Sequence, residues 1–486
     1  MDSHKTSVVA GGGGRFKEYL DRTKMEHKQY QYEGVQWMLN NELRADPVAG
    51  VRGGFIADEM GLGKTIMMIG TMLCNFRART LIVVPPVLVD QWYAQIYRTT
   101  GHKPLIYHGN KKKQISQFLL SQATIVITTY GAITLTKKQI DANAITPLHQ
   151  LLWGRIIFDE AHHLRNKNTT RYISARKLQA NIRWLVSGTP VQNRRQDFYS
   201  LCSLLGLPAS FYTEVDNLPK LTADFVLKRT KTGVGIRMPN VVHDKNMVTW
   251  GNRKEMELSE EIHSALAFSH VSASKSRAFV ANSLSKGSGV LSLLLRARQT
   301  CIYPKLLSKT LTQNENLSAY SEAFNCSSKL DFAVEKILRR KDNGCGKLIF
   351  CHFREEIDEI AARLRAGGMA KVGTFDGRTT GGKRTEALHN KNDALILQIQ
   401  TGCEGLNLQE NYSEIYFISP HWNPAIEDQA VARCHRIGQT KPVYVERFEM
   451  SPFISGEDDK QLPTRTVDNY VGVVQAGKRA IAQECI

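Results

Sequence analysis

The chain has 486 residues, of which 42% are apolar, enough for two to four domains with a real core, and no apolar run approaches the roughly 20 residues a membrane helix needs. Lysine and arginine number 64 against 46 acidic residues, a balance of +18 that points to a polyanionic partner, most simply nucleic acid. The 9 cysteines are odd in number, scattered and without a C-x-x-C pair, which argues against a disulfide framework or a zinc site and for a reducing intracellular compartment.

In chain order, the N-terminus shows no apolar core of a secretory signal, and the four-glycine run Gly11 to Gly14 predicts a flexible leader over 1–24. Residues 25–205 alternate short apolar strands with helical stretches, the pattern of parallel α/β layers. The expected strands are Gly54 to Ala57, Thr80 to Val84, Thr124 to Thr128, Arg155 to Phe158 and Arg183 to Val186. Residues 206–327 are weakly patterned and polar, which predicts a mostly helical insertion whose strongest helix is Leu291 to Arg298. A second α/β region follows over 328–450, with expected strands at Lys347 to Cys351, Lys371 to Phe375, Ala394 to Ile399, Glu414 to Ile418 and Val443 to Phe448. Residues 451–486 are expected to be a brace or a tail.

The first strand runs into Asp58-Glu59-Met60-Gly61-Leu62-Gly63-Lys64-Thr65, and a helical stretch follows. Glycines let backbone N–H groups approach phosphate oxygens, and a helix N-terminus adds a favourable dipole. Lys64 is placed to reach the β- and γ-phosphates and Thr65 to hold magnesium. The strict loop pattern has glycine where this chain has Asp58. Downstream, the apolar strand Arg155 to Phe158 delivers Asp159 and Glu160 at its C-terminal end, where open α/β sheets build their sites. Asp159 is the candidate metal carboxylate and Glu160 the candidate base for an attacking water. Ser187-Gly188-Thr189-Pro190 after the next strand reads as a nucleotide-state sensor or as a simple turn. In the second region, Arg433 and Arg436 are three apart, a spacing that a helix places on one face, and by themselves they read as solvated surface charge.

Taken together, these stretches resemble the Swi/Snf-type ATPases of helicase superfamily two, from about His27 to Phe448 and in the family's order. Tyr30-Gln31 is similar to the adenine-reading segment, and the family's own phosphate loop carries Asp58's aspartate. Asp159 to His162 is its Asp-Glu-Ala-His box, and Ser187 to Pro190 with Gln192-Asn193 its coupling motif. Gly405-Leu406-Asn407-Leu408 and the string Gln429-Ala430-Val431-Ala432-Arg433-Cys434-His435-Arg436-Ile437-Gly438-Gln439 match the second lobe, the latter being the most specific feature. Gln398, Ile399, Cys403, Ala432 and Arg165 depart from the family wording, which puts step coupling rather than hydrolysis in question.

The resemblance implies an α/β fold of two RecA-like parallel-sheet lobes with a mostly helical insertion between them. It implies ATP and magnesium as cofactors, with Gln31, Asp58, Gly61, Gly63, Lys64, Thr65 and Gly405 at the nucleotide. Glu160, Lys64, Arg433 and Arg436 would be catalytic, and Thr65 and Asp159 would hold the metal. Nucleic-acid contact or coupling falls to Gln91, Trp92, Thr129, Tyr130, Ser187, Thr189, Gln192, Asn193, Asn407 and Gln429. The implied partner is double-stranded DNA, with histones or other DNA-bound proteins displaced from it, and no membrane. The basic runs Lys111 to Lys113 and Lys228-Arg229 read as solvated loops ahead of DNA contacts. The chain is close to a bare motor, and the wording Cys403 to Gln409 resembles the global-transactivator-like proteins of insect viruses, which implies action in a host nucleus. A strand-separating DNA or RNA helicase and a transcriptional cofactor that no longer hydrolyses ATP remain the alternatives.

Overall fold

The computed structural model describes residues 14–264, 266, 289–308, 315–379, 390–402, 406–453 and 465–485. The chain divides into two compact units, Met1–Arg237 with Ala480–Ile486, and Met238–Arg479.

The first unit is built on strands β1 (Gly53–Ile56), β2 (Thr80–Val84), β3 (Leu105–Tyr107), β4 (Ile125–Thr129), β6 (Arg155–Asp159), β8 (Arg183–Val186) and β9 (Val226–Leu227), while β5 (Leu152–Trp153) and β7 (Gln179–Ala180) pair separately. The seven strands lie in the order β3-β4-β2-β6-β8-β1-β9, all parallel. Successive residues feed opposite cores: Leu81 and Val83 pack on one face of the sheet, Ile82 and Val84 on the other. Burial on both faces is why these strands read as continuous apolar runs rather than as alternation. Helix α1 (residues 14–23) is followed by α2 (Gln29–Leu43), α3 (Lys64–Cys74) and α4 (Val89–Thr100).

The second unit has strands β10 (Val241–Val248), β11 (Gly346–Cys351), β12 (Val372–Phe375), β13 (Ala394–Gln398), β14 (Tyr412–Phe417) and β15 (Val443–Met450). Their order is β10-β15-β14-β11-β13-β12, again all parallel. Here too the two faces are both covered, Leu348 and Phe350 packing on one side and Ile349 and Cys351 on the other.

Both α/β regions are therefore where the sequence pattern puts them, and the domain boundaries need correction. Residues 14–23 are not a loose leader: Phe16, Tyr19 and Leu20 recur at helical spacing and are buried in the core beneath α1. Gly11 to Gly13 lie outside the described residues. The stretch 206–227 is not insertion but part of the first unit, since β9 pairs with β1. Polar β10 belongs to the second sheet, where it pairs with β15 along its whole length. Of the expected insertion, Arg253–Ser264 and Gly289–Ile302 are helical, the latter containing the predicted Leu291 to Arg298. The segment after β15 includes a regular helix, Val467–Cys485.

Candidate active site

Strand β1 ends at Ile56, and the chain turns through Gly61 and Gly63 into α3. Gly63 has φ 82°, left-handed backbone that favours glycine. A Cβ at Gly63 would stand 2.5 Å from the Gln31 amide nitrogen. That amide is buried and donates to the Leu62 carbonyl at 3.2 Å, so Gln31 braces the loop from behind. Lys64 Nζ donates to the Asp58 carbonyl at 2.8 Å and the Glu59 carbonyl at 3.4 Å. Thr65 follows in the first turn of α3, half-buried.

Asp58 departs from its expected role. Its carboxylate is fully buried and is gripped by Arg229, Nε to Oδ1 at 3.1 Å and Nη2 to Oδ2 at 2.5 Å. Arg229 also donates to the Tyr30 carbonyl and lies 5.5 Å from the Tyr30 ring centroid. Glu59 is tied to the same strand-end segment, its N–H donating to the Arg229 carbonyl at 2.9 Å and its carboxylate pairing with Lys231 at 2.9 Å. A carboxylate held this way is committed to the guanidinium, so Asp58 shapes the loop instead of touching a nucleotide. Arg229 is likewise a clamp and not the solvated charge its sequence context suggests.

Asp159 ends β6 and is buried. Its Oδ2 accepts from Trp92 Nε1 at 2.7 Å, its Oδ1 from the Glu160 N–H at 3.0 Å, and its carbonyl from the Tyr130 hydroxyl at 2.6 Å. Burial, and then the charge of Glu160, push the Asp159 carboxyl up to about 6. Glu160 sits at φ 51°, a left-handed position uncommon for a residue with a side chain. Its Oε2 lies 3.3 Å from His162 Nδ1, and the same ring nitrogen is 3.3 Å from Ser187 Oγ. Ser187 Oγ accepts from the Thr189 N–H at 3.3 Å, and Gln192 Nε2 reaches Thr189 Oγ1 at 3.4 Å. Gln192 also accepts from Arg165, the residue that departs from the family's lysine. A Cβ at Gly188 would meet Lys64 Nζ at 3.3 Å, so the Ser187–Pro190 turn lies against the loop lysine as well as the box.

The site fits a divalent cation, since burial and the neighbouring charge of Glu160 raise the proton affinity of Asp159 and a cation there would offset that cost. The turn fits a polyphosphate, with α3 supplying its N-terminal N–H groups and Lys64 its charge. Thr65 and Asp159 are the residues that would hold the metal.

The nucleic-acid expectations divide by exposure. Gln91 is exposed and Asn193 half-exposed. Trp92, Thr129, Tyr130 and Gln192 are buried, and each has a partner inside the unit, Thr129 Oγ1 meeting His108 Nδ1 at 3.1 Å. As direct contacts these four are corrected: their side chains are packed inside the unit, Trp92 and Tyr130 fixing Asp159, Gln192 the coupling turn, and Thr129 meeting His108. Trp153 and Trp184 are core as well.

In the second unit, Arg433 is buried in the last turn of the helix Pro424–Cys434. Arg436 falls beyond that helix, its N–H donating to the Cys434 carbonyl at 3.0 Å. The expectation of two arginines on one helical face is thus replaced by one on the helix and one on the turn after it. They remain close enough that burial and the charge of Arg433 lower the pKa of Arg436. Arg436 Nη1 donates to exposed Asn407, and the Leu408 N–H donates to the Arg433 carbonyl at 3.1 Å, which joins the two second-lobe motifs. Gln429 is buried on the same helix. Gly405 lies outside the described residues.

The family model of the SNF2-related domain matches residues 30–306, and that of the helicase conserved C-terminal domain matches 328–438. The chain belongs to the SNF2-related family. It is a nucleic-acid-dependent ATPase of helicase superfamily two, and its two parallel-sheet units are the RecA-like lobes of that family. It is 28% identical to a probable global transactivator of Orgyia pseudotsugata multicapsid polyhedrosis virus, over 97% of this chain and 98% of that protein. It is 27% identical to an uncharacterized ATP-dependent helicase of Mycoplasma genitalium over 89% of this chain, and spans only 41% of that longer protein. For the ATP-dependent DNA helicase DDM1 of Arabidopsis thaliana the figures are 25% identity, 88% of this chain and 59% of the relative. Among solved structures, a Sulfolobus solfataricus SWI2/SNF2 ATPase core in complex with dsDNA aligns over 95% of this chain and 93% of its own, at 22% identity and a TM-score of 0.40. Among the described residues no helix is long and apolar enough to cross a membrane.

Proposed function

We propose that this SNF2-related ATPase is a magnesium-dependent translocase on double-stranded DNA that displaces or remodels bound proteins, acting in the nucleus. The observation that carries the reading is the contact set around Ser187 and Gly188. One turn touches the phosphate-loop lysine through Gly188 and the Glu160 carboxylate through His162. A sensor that meets both the phosphate-binding group and the hydrolytic base can pass the state of the nucleotide to the surface, which a motor needs and an inert cofactor does not.

In this reading Glu160 orients and deprotonates the attacking water, Lys64 holds the terminal phosphates, and Thr65 and Asp159 hold the cation, which would screen phosphate charge. Arg433 and Arg436 supply positive charge to the transferring phosphoryl group. The net charge of +18 supports a polyanionic track. The name of the Arabidopsis relative specifies DNA, and the viral relative is named as a transactivator, which supports a role in transcription.

The test is steady-state ATP hydrolysis without nucleic acid and with duplex DNA, single-stranded DNA or RNA, beside Lys64→Ala and Glu160→Gln. Stimulation by duplex, together with displacement of a triplex-forming strand ahead of the motor, is the expected result. Preference for single strands with unwinding of a tailed duplex would replace translocation by strand separation. No turnover under any condition would leave a binding cofactor.

A further inference from the structure

At the end of the first sheet opposite Asp159 lies a cavity of about 290 Å³. Ile69, Met72 and Leu73 of α3, Ile96 of α4 and Ile125 of β4 form its apolar wall. Arg77 and Arg155 also line it. Arg155 is fully buried at the first position of β6, with Nε donating to Glu42 Oε1 at 2.6 Å and Nη2 to Glu42 Oε2 at 2.5 Å and the Asn75 carbonyl at 2.8 Å. Glu42 receives two further donors, Asn75 Nδ2 at 2.7 Å and Trp184 Nε1 at 2.8 Å, so its lone pairs are taken. What remains is Arg155 Nη1, a buried donor without an acceptor, and Arg77 Nε, in the same condition. Arg77 makes no ion pair among the described residues, and it is shared with an adjoining pocket of about 500 Å³ that Arg44 and Arg52 also line.

Buried polar groups are normally satisfied, and unmet ones call for an explanation. An apolar chamber next to two unmet guanidinium donors, with a basic chamber beyond, is the mould of an amphiphilic anion. We propose that this cavity binds a small apolar monocarboxylate, its tail among Ile69, Met72, Leu73 and Ile125 and its carboxylate on Arg77 and Arg155. A single negative charge suits the site better than a phosphate dianion, because Glu42 stands beside Arg155. The volume is about twice that of a cavity that holds benzene, which sets the tail at roughly eight carbons. The site is separate from the hydrolytic one: Arg155 and Asp159 are the two ends of β6.

Octanoate is the probe, offered to the full chain in titration calorimetry and in thermal unfolding, with 1-octanol and inorganic phosphate in parallel. Octanoate binds at a single saturable site and raises the unfolding temperature, while octanol and phosphate bind about tenfold more weakly or not at all. Arg77→Gln weakens octanoate by about tenfold, the scale of a lost charge-assisted hydrogen bond, and Leu73→Trp, which fills the chamber, abolishes binding. Both variants keep ATP hydrolysis, since neither residue touches the nucleotide loop. Octanoate heats that are unchanged in both variants would overturn the site. So would the absence of octanoate binding at millimolar concentration, which would mean that ordered water alone meets the two donors.

Discussion

Arg229 and Asp58, 171 residues apart in sequence, form a two-pronged ion pair in which the carboxylate is fully buried. The pair joins the segment after β9 to the phosphate loop after β1. Removing the guanidinium strands a charge in the core, and breaking a buried pair from one side costs about 3–5 kcal/mol. Arg229→Ala should therefore lower the unfolding free energy of the first unit by that amount and weaken ATP. Arg229→Lys should recover only part of it, because an ammonium cannot fork two oxygens. Denaturant titration and nucleotide binding check this; wild-type affinity in Arg229→Ala would show that the loop holds its shape without the clamp.

Trp92 donates its indole N–H to Asp159 Oδ2 at 2.7 Å. Trp92→Phe keeps most of the packing and removes the donor. The expected outcome is a fall in kcat of about tenfold, the lower end for losing a partner that orients a metal carboxylate, with a small rise in KM for magnesium–ATP. Steady-state kinetics over a range of magnesium concentrations give the answer, and an unchanged kcat would mean that the Glu160 N–H alone orients Asp159.

Ser187 Oγ is the link between His162 and the Thr189 N–H. Ser187→Ala should leave hydrolysis without nucleic acid near wild type and sharply reduce its stimulation by duplex DNA. The two rates are measured in one assay. An equal fall in both would assign Ser187 to the chemistry and not to coupling.

His263 is buried in the second unit, where Nδ1 donates to the Ser259 carbonyl at 2.7 Å and Nε2 accepts from the Val467 N–H at 3.0 Å. Burial lowers its pKa from 6.5 to about 4. A depressed folded pKa gives stability that is present above 6.5 and lost as pH falls through about 4. The loss is on the order of 3 kcal/mol at 1.36 kcal/mol per pH unit. Urea unfolding of the second unit at pH 7 and pH 4.5 measures it. His263→Leu should be less stable at pH 7, having lost both hydrogen bonds, and should show a flatter slope over this range. The same slope in the variant would move the effect to another group.

What the sequence makes legible follows from what is local. Thr80 to Val84 and Arg183 to Val186 are strands with the expected bounds because both faces are buried and every residue carries the signal. The carboxylates at the end of β6 follow from that strand's apolar run. Strand β10 is polar through His243, Asp244, Lys245 and Asn246, and edge pairing with β15 makes it a strand against its composition. Arg229 reads as loop charge because its partner is 171 positions away, and no local spacing reveals a contact of that kind. Trp92 and Tyr130 sit in motif positions that suggest a surface, and their burial behind Asp159 is set by tertiary packing alone.

Strand β9 and Arg229 impose an order on biosynthesis. The nucleotide loop emerges from the ribosome with its aspartate unanswered, and the guanidinium that answers it follows 171 residues later. At translation rates of 5–20 residues per second that gap is roughly 10–30 s. A nascent chain interrupted before β9 carries every residue of the phosphate-loop signature and still lacks the outer neighbour of β1. The ion pair that shapes the phosphate loop can therefore close only after Arg229 has been added to the chain.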